Sequence, residues 1–319
     1  KQYKGLPFSV HLPTTLPLIS LPRSQLSNPN MMMKIATLSA LSMFCNGAAA
    51  FAPATFGVPR TSVSLDMARK PFISGNWKLN PASKEEAVKL GAGIAAAITD
   101  KSPEADVALF VPYVYIESVM AATEGKLEVG AEAICPEDAG AYTGATAASM
   151  VQSVGVNWAL AGHSERRVIY GESDENINAQ CLKLIEKGMK VMLCIGESEA
   201  EYDQNLAGAV CAVQLKKGLA GIPKEKMTSV AIAYEPVWAI GTGKVATPET
   251  AQSVHETCRS ILAEMYDQET ADATRILYGG SVSDESIDAL MAKPDVDGCL
   301  VGGASLDSGK FGRIINFES

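Results

Sequence analysis

The sequence lacks the signatures of several functional classes. Lys and Arg total 27 against 36 Asp and Glu, and the pI is near 5.0, so the chain has no overall basicity of the kind that binds nucleic acid. No strand–GxGxxG–helix sequence occurs, which argues against a dinucleotide-binding open sheet. Neither a nucleic-acid partner nor a cofactor is predicted.

Cysteine is present, but in no metal-binding pattern. The seven cysteines are an odd number, and they include no CxxC pair or zinc-like spacing, so neither a metal site nor a disulfide framework is predicted. Six follow the N-terminal region, mostly in apolar surroundings typical of small buried hydrophobes in a reducing compartment. These six are Cys135, Cys181, Cys194, Cys211, Cys258 and Cys299.

Acidic residues are almost absent from residues 1–67, which contain five Lys or Arg and one Asp. Residues 1–30 hold five prolines, no acid and no helical or strand period, and they precede three consecutive methionines. We therefore expect residues 1–30 to be an upstream extension that takes no part in the fold.

Residues 31–67 have the composition of a targeting segment. Lys34 precedes an apolar stretch at 35–44 and small residues at 47–50, as in a signal peptide. The Ser, Thr and Arg that follow are typical of a transit peptide, and the whole resembles a bipartite presequence for secondary plastids. It implies the plastid stroma, with secretion or another organelle as alternatives. The apolar stretch is too short to span a bilayer, so no stable membrane association is predicted.

Residues 68–319 alternate between two patterns. Short apolar runs typical of buried strands are separated by segments with helical periodicity, among them 83–100, 174–188, 204–219, 247–266 and 283–293. The runs are 71–77, 106–110, 127–131, 158–161, 190–195, 229–234, 275–278 and 298–301. Eight such units predict a single-domain α/β fold, a (β/α)8 barrel, with an open doubly wound sheet as the alternative.

In such a barrel, reactive residues lie at the carboxyl ends of the strands. The first run ends in GNWKLN, which places Asn76 and Lys78 at the rim with side chains pointing the same way, because strand side chains alternate. The fourth ends in AGHSERR with His163, and the sixth ends at Glu235. Each alone is more often a surface or turn residue. His163 is favoured because His255 lies among polar residues of a predicted helix, where we expect it to be solvated.

Glycine marks two further features of the rim. Gly-Gly pairs in YGGSV and LVGGAS follow the seventh and eighth strands, where barrels form phosphate cradles, although each could also be a tight turn. After Glu235, a Pro-Val-Trp entry and a Gly-Thr-Gly centre predict a hinged flap attached to the acid. GTGK is not a P-loop, because Val245 follows where a Ser or Thr would bind Mg²⁺.

Five motifs, GNWKLN, AGHSERR, AYEPVWAIGTGK, YGGSV and LVGGAS, occur in this order and resemble those of the triosephosphate isomerase family over residues 70–317. The resemblance implies a TIM barrel enzyme without cofactor or metal that interconverts dihydroxyacetone phosphate and D-glyceraldehyde 3-phosphate through an enediolate. It implies that Glu235 is the base and His163 the electrophile. Lys78 and Asn76 would contact the substrate, and Glu165 would be an acid close to Lys78.

The resemblance also implies how phosphate and flap are held. Backbone N–H groups would meet the phosphate at Gly241, Ser281, Gly302 and Gly303. Tyr278 would hold the closed flap through the backbone of Ala246. The flap residues are Pro236, Val237, Trp238, Ala239, Ile240, Thr242, Gly243 and Lys244.

A long loop at 133–147 implies, by the same resemblance, a homodimer in which Thr143 reaches the neighbouring site. Ala145 stands where an acid commonly pairs with Arg166 across the interface, which leaves the strength of the dimer open. Another phosphate-binding barrel enzyme, or a barrel that serves as a non-catalytic module, are the alternative functions.

Overall fold

The computed structural model describes residues 69–100, 102–241 and 244–318. In this part of the chain, parallel strands form a closed barrel. The strands are β1 (Phe72–Asn76), β2 (Asp106–Val111), β3 (Glu128–Ala131), β4 (Trp158–Ala161), β5 (Lys190–Ile195), β6 (Val230–Tyr234), β7 (Arg275–Tyr278) and β8 (Gly298–Val301). Each pairs with the next, and β8 pairs with β1. The predicted (β/α)8 barrel is confirmed. The predicted upstream extension (1–30) and targeting segment (31–67) lie outside the described residues, and so do the flap residues Thr242 and Gly243.

Helices follow the strands around the outside of the barrel. They are α1 (Lys84–Ala97), α2 (Ile116–Thr123), α3 (Ala148–Ser153), α4 (Ser164–Val168), α5 (Asp174–Glu186), α6 (Glu199–Asp203), α7 (Ala207–Gly218), α8 (Pro248–Met265), α9 (Gln268–Ala273), α10 (Ile287–Met291) and α11 (Ser308–Ile315). Short 3-10 helices occupy Tyr113–Tyr115, Lys224–Ser229, Val237–Ala239 and Gly303–Leu306. Ser83, Ser173 and Thr247 cap α1, α5 and α8 with side-chain oxygens that accept backbone N–H groups, as their sequence positions predict.

Two packed layers of side chains explain why the strands appear as apolar runs. Alternate strand residues, such as Phe72 on β1 and Ala231 and Ala233 on β6, form one buried cluster inside the barrel. Their neighbours in sequence form a second cluster with the helices. Both strand faces are therefore buried, as expected for a parallel sheet. Asn76 and Glu235 have the same alternation as the interior residues, which directs both into the mouth of the barrel.

Two helical segments differ from the sequence-based expectation. Segment 283–293 is helical only in α10, because a turn precedes it in which the backbone N–H groups of Ser283 and Ser286 each donate to the hydroxyl oxygen of the other. Helix α11 was not predicted, since glycines weaken its pattern. Gly312 of α11 packs so closely on α1 that a Cβ there would lie 2.8 Å from the Cβ of Ala97.

His255 was predicted to be solvated, and this prediction is wrong. Its side chain is fully buried, its Nδ1 lies 3.1 Å from the backbone oxygen of Asp295, and its ring packs edge-on against Tyr234. The apolar stripe of α8 contains Ala251, Val254, Cys258 and Leu262, and His255 lies on the same face. Burial lowers the pKa of His255 to about 4, so the ring is neutral near pH 7.

The cysteines match their prediction with one exception. Among the described residues all six are free thiols, and five are buried, whereas Cys135 is half-buried. Within the same residues, no helix combines the length and the hydropathy needed to cross a bilayer, and no cluster of His, Cys, Asp and Glu side chains is arranged to hold a metal ion.

Candidate active site

A cavity of about 350 Å³ opens at the carboxyl ends of the strands. It brings together eight of the residues predicted from sequence: Asn76, Lys78, His163, Glu235, Gly241, Ser281, Gly302 and Gly303. They come from strand ends and loops far apart in the chain, and they meet because every parallel strand ends at the same rim. The flap residue Ile240 also lines this cavity.

The Glu235 carboxylate is the most buried charged group of the cavity, at 2% exposure. Its Oε1 lies 2.9 Å from Nε2 of His163, and its Oε2 accepts the backbone N–H of Ser164 at 2.9 Å. The Ser164 backbone was not predicted as part of the site, because a backbone donor leaves no signal in side-chain identity. These two donors compensate for removing the carboxylate from water.

His163 caps the short helix α4 with its own ring. Its Nδ1 accepts the backbone N–H of Glu165 at 3.2 Å, so the ring proton is on Nε2, which faces Glu235. Burial lowers the pKa of His163 and the Glu235 carboxylate raises it, with a net upward shift. A second proton on Nδ1 would nevertheless break the bond to Glu165, so the contacts at both nitrogens favour a neutral ring that donates from Nε2.

Lys78 reaches the cavity by a route different from the one predicted. Its φ is +55°, a left-handed conformation, so its direction comes from a turn after β1 and not from strand alternation. The turn is held by the Lys78 N–H, which donates to Oδ1 of Asn76 at 3.0 Å. Nζ of Lys78 lies 2.6 Å from Oε1 of Glu165, as the resemblance implied.

The glycine-rich loops leave the backbone open beside Lys78. A Cβ on Gly302 would lie 3.5 Å from Cε of Lys78, and a Cβ on Gly303 would have no neighbour within 4 Å. Gly241 has a φ of +68°, which few other residues adopt without strain. The cavity therefore offers accessible backbone at one end and a fixed cation nearby, as an anion site requires.

The start of the flap is fastened to a buried carboxylate that sequence reasoning missed. Oε1 of Glu197 accepts the Trp238 Nε1–H at 2.7 Å and the Tyr234 hydroxyl at 3.0 Å. Trp238 also packs on the ring of Tyr202 of α6, with centroids 4.1 Å apart, and Lys244 pairs with Glu199. GESE offers no signal for this role, because Glu197 meets its partners only through the tertiary fold.

The two residues of the predicted latch, Tyr278 and Ala246, lie close to each other. The Tyr278 hydroxyl is buried and makes no hydrogen bond among the described residues. Burial raises the pKa of Tyr278, and the backbone of Ala246 acts in the opposite direction, so Ala246 is close to this hydroxyl. The hydrogen bond between them stays a prediction for the closed flap.

A second cavity of about 380 Å³ adjoins the first and shares Asn76, Lys78 and His163 with it. Glu165 lines this cavity, together with a carboxyl that was not predicted, Glu132. Oε1 of Glu132 is buried without a hydrogen-bond partner. Burial, followed by the negative Glu165, raises the pKa of Glu132 to about 8.

The residues predicted for a dimer lie beside this second cavity. Thr143 and Ala145 are exposed within the loop after β3. Arg166 pairs with Glu172 of its own chain, Nη2 to Oε1 at 2.6 Å. Ala145, Arg166 and Glu172 line one cavity of about 260 Å³, so Arg166 has an acidic partner although position 145 is alanine.

The site combines a buried carboxylate with a neutral imidazole, which suits proton transfer. It also has a fixed lysine, an accessible glycine backbone and a flap, which suit a small anionic substrate. These features define the class of protein: a barrel enzyme that transfers protons on a small anion. The triosephosphate isomerase family model matches residues 71–318. Relatives of that name include one from Herpetosiphon aurantiacus (43% identity, covering 78% of this chain and 100% of the relative) and one from Chloroflexus aurantiacus (40%, 78% and 100%). A third, from Carboxydothermus hydrogenoformans, is 43% identical and covers 77% of this chain and 98% of the relative. The chain belongs to the triosephosphate isomerase family and is an isomerase.

We predict that Glu132→Gln stabilises the protein in a pH-dependent way. The carboxyl keeps its proton in the folded chain up to about pH 8, whereas its ordinary pKa is 4.5. The folded state therefore binds the extra proton between these values, and stability falls as the pH rises through them. Gln resembles the protonated acid and does not titrate. Its gain in Tm over the native chain is expected to be small at pH 5 and larger at pH 8.5.

Glu128→Gln is the matched control, because Glu128 is exposed at the opposite end of β3. It should change Tm equally at both pH values. An equal gain for Glu132→Gln at pH 5 and pH 8.5 would contradict the buried, protonated carboxyl.

Proposed function

We infer that the chain interconverts dihydroxyacetone phosphate and D-glyceraldehyde 3-phosphate, with Glu235 as the base. The observation that carries this is the 2.9 Å contact between Oε1 of Glu235 and Nε2 of His163 at the floor of the cavity. Removing a proton beside a carbonyl needs a base and a donor to the carbonyl oxygen at the same place. The two groups are adjacent here and differ in role, one carboxylate and one N–H donor.

The hydrogen bonds of Glu235 and His163 indicate which contacts a substrate would replace. Without substrate, Nε2–H of His163 points to Glu235, and the N–H of Ser164 holds the other carboxylate oxygen. A substrate carbonyl oxygen takes the Nε2–H, and the freed carboxylate turns towards the adjacent C–H. The proton moves to Glu235, negative charge develops on the oxygen facing His163, and return of the proton to the neighbouring carbon completes the isomerisation.

Charge complementarity supports a phosphorylated substrate. The chain is acidic overall, with a net charge of −9, so binding a dianion needs local positive charge. Lys78 supplies it, and Glu165 holds its ammonium group beside Asn76 and His163. The phosphate would be met by Gly241, Ser281, Gly302 and Gly303, which line the same cavity as Lys78.

The flap is expected to keep water out of the active site during the reaction. Gly241 reaches the cavity from the flap, and closure would add its N–H to the phosphate while excluding water from the enediolate. Val237–Ala239 stays fastened through Trp238 to Glu197. We therefore expect the start of the flap to keep its position during the reaction.

Replacing Glu235 by Asp tests the assignment. The shorter side chain moves the carboxylate about one C–C bond length farther from the substrate, so turnover should fall at least about 100-fold, while affinity for a phosphoglycolate-type inhibitor changes little. The measurements are the isomerisation rate of glyceraldehyde 3-phosphate and inhibitor binding by calorimetry. Glu264→Asp, at an acid of α8 whose side chain is exposed, is the control. An unchanged turnover number, or a native chain without isomerase activity, would overturn the proposal.

We propose that the chain forms a homodimer across the second cavity. Several large apolar side chains around it are exposed, including Leu79 at 96% and Val114 at 78%, together with Tyr170. Tyr142 and Thr143 are exposed on the loop after β3. A second copy of this loop, entering the cavity with Thr143 foremost, would cover the apolar patch and approach Asn76 and His163.

Leu79→Glu is expected to weaken this dimer. A charge replaces an apolar contact, so the dissociation constant should rise at least about tenfold, measured by sedimentation equilibrium. Val213→Glu is the control, because Val213 is also an exposed apolar residue but lies on α7. A native chain that is monomeric at micromolar concentration, or equal effects of both changes, would refute the proposal.

We further propose that the mature protein acts in the plastid stroma, on the composition of residues 31–67 alone. A fluorescent protein fused after residue 67 should accumulate inside plastids of a host with secondary plastids. Deleting residues 31–50 should prevent this by removing the signal-like part. Secretion of the complete fusion would disprove the assignment.

A further inference from the structure

Helix α7 directs one side chain to the strand end beside the catalytic carboxylate. Oε1 of Gln214 accepts the Gly196 N–H at 2.7 Å, and its Nε2 donates to the Gly196 carbonyl oxygen at 3.2 Å. Both backbone polar groups of the residue that follows β5 are thus held by one side chain. An amide suits this double contact, because it presents an acceptor and a donor in one plane.

The backbone of Gly196 packs directly on that of Glu235. A Cβ at position 196 would lie 1.7 Å from the backbone oxygen of Glu235. On one side of Gly196, the oxygen of Ile195 accepts the Glu235 N–H at 2.7 Å, and on the other side the oxygen of Glu197 accepts the Val237 N–H at 3.1 Å. This three-residue segment therefore supports the backbone of the base, and the glutamine amide holds its middle residue.

Packing leaves room for this support to move. A cavity of about 150 Å³ is lined by Gly196, Gln214 and Glu235, together with Ser164 and Val237. Empty space beside a backbone segment provides no contacts that oppose its displacement. The two hydrogen bonds of the Gln214 amide are therefore needed to keep Gly196 in one place.

Helix α7 is a firm base for this amide. Cys211 and Leu215, which flank Gln214 on α7, are fully buried in the core between strands and helices. Near the end of the helix, Gly218 packs so closely on β5 that a Cβ there would lie 2.8 Å from Cδ2 of Leu193. The amide thus transfers the fixed position of α7 to the end of β5.

We propose that Gln214 is a positioning residue for the isomerisation, because its amide keeps the Glu235 carboxylate at the distance and direction that proton transfer needs. The inference rests on the function proposed above, in which Glu235 is the base. A displacement of about 1 Å can lower a rate about 100-fold. Gln214 is not among the residues that line the substrate cavity, so it acts through Gly196 and Glu235 and not on the substrate.

Gln214→Met in the full chain tests this inference. Met is similar in size and also favours a helix, but it lacks the amide donor and acceptor. The kcat for glyceraldehyde 3-phosphate should fall at least about fivefold, whereas KM and the dissociation constant of a phosphoglycolate-type inhibitor should change less than about twofold. Rates are divided by the number of inhibitor sites found by calorimetry, so that unfolded chains are not counted.

A kinetic isotope effect distinguishes positioning from a loss of stability. The substrate carries deuterium on the carbon that loses the proton, and kcat is compared with that of the undeuterated substrate. A misplaced base slows proton transfer relative to the conformational steps and product release, so the isotope effect should be larger in Gln214→Met than in the native chain. A loss of stability alone would lower the number of active sites and leave this ratio unchanged.

Gln252→Met is the matched control. Gln252 of α8 is half-buried like Gln214, and its Oε1 accepts the Asp295 N–H at 3.0 Å while its Nε2 donates to Oδ2 of Asp295 at 2.6 Å. Asp295 precedes β8, at the end of the barrel opposite the active site. The control should lower Tm, because it loses the same kind of double contact, but kcat and the isotope effect should equal those of the native chain.

An unchanged kcat and isotope effect in Gln214→Met would overturn the inference, and so would an equal loss of kcat in Gln252→Met. If the methionine variant does not fold, Gln214→Ala decides the question with Gln252→Ala as its control, since Ala favours a helix and removes the amide. A native chain without isomerase activity would count against the proposed function. An active native chain with an unaffected Gln214 variant would count against the positioning role alone.

Discussion

A carboxylate that is almost completely removed from water needs compensating donors, and the geometry of this rim depends on how Glu235 obtains them. Burying an unpaired carboxylate costs several kcal/mol, more than a marginally stable chain tolerates without donors. Both donors come from one corner, the turn from β4 to α4, where Ser164 supplies a backbone N–H and His163 its ring N–H. The same corner fixes the His163 tautomer through the N–H of Glu165. Base, electrophile and the helix start between them form one hydrogen-bonded unit.

This unit fits at the rim of the barrel because the residues next to Glu235 on the neighbouring strand ends are glycines, which have no side chain. The Cβ of any residue at position 196 would collide with the backbone oxygen of Glu235, and at Gly279 it would lie 2.8 Å from the Glu235 Cγ. Glu235 therefore lies between two glycines on β5 and β7 ends, and its direction is set by packing against bare backbone. The backbone of Glu235 is thus held by rigid elements, and we expect its carboxylate to move mainly by side-chain rotation towards or away from Ser164.

The strands and much of the candidate site could be predicted from the sequence, for two physical reasons. Strands buried on both faces appear as continuous apolar runs, and alternation along β1 and β6 places Asn76 and Glu235 inside the mouth. Contacts between segments that are distant in the chain could not be predicted from the sequence. The raised pKa of Glu132 depends on burial in the fold and on the negative charge of Glu165, which follows another strand. His255 is different, because the apolar stripe of α8 contained the information and its polar neighbours obscured it.

The described residues of the flap make contacts of unequal strength with the rest of the barrel. Its outer contact, Lys244 with Glu199, is between exposed groups, and such pairs contribute little because water and salt screen them. Inside, the Tyr278 hydroxyl is buried without a partner, and leaving such a group unsatisfied costs about 1–3 kcal/mol. A hydrogen bond between this hydroxyl and the nearby backbone of Ala246 would relieve that cost. Trp238 is hydrogen-bonded to Glu197, so the start of the flap is fixed to the barrel by a buried contact that is stronger than the exposed ion pair of Lys244.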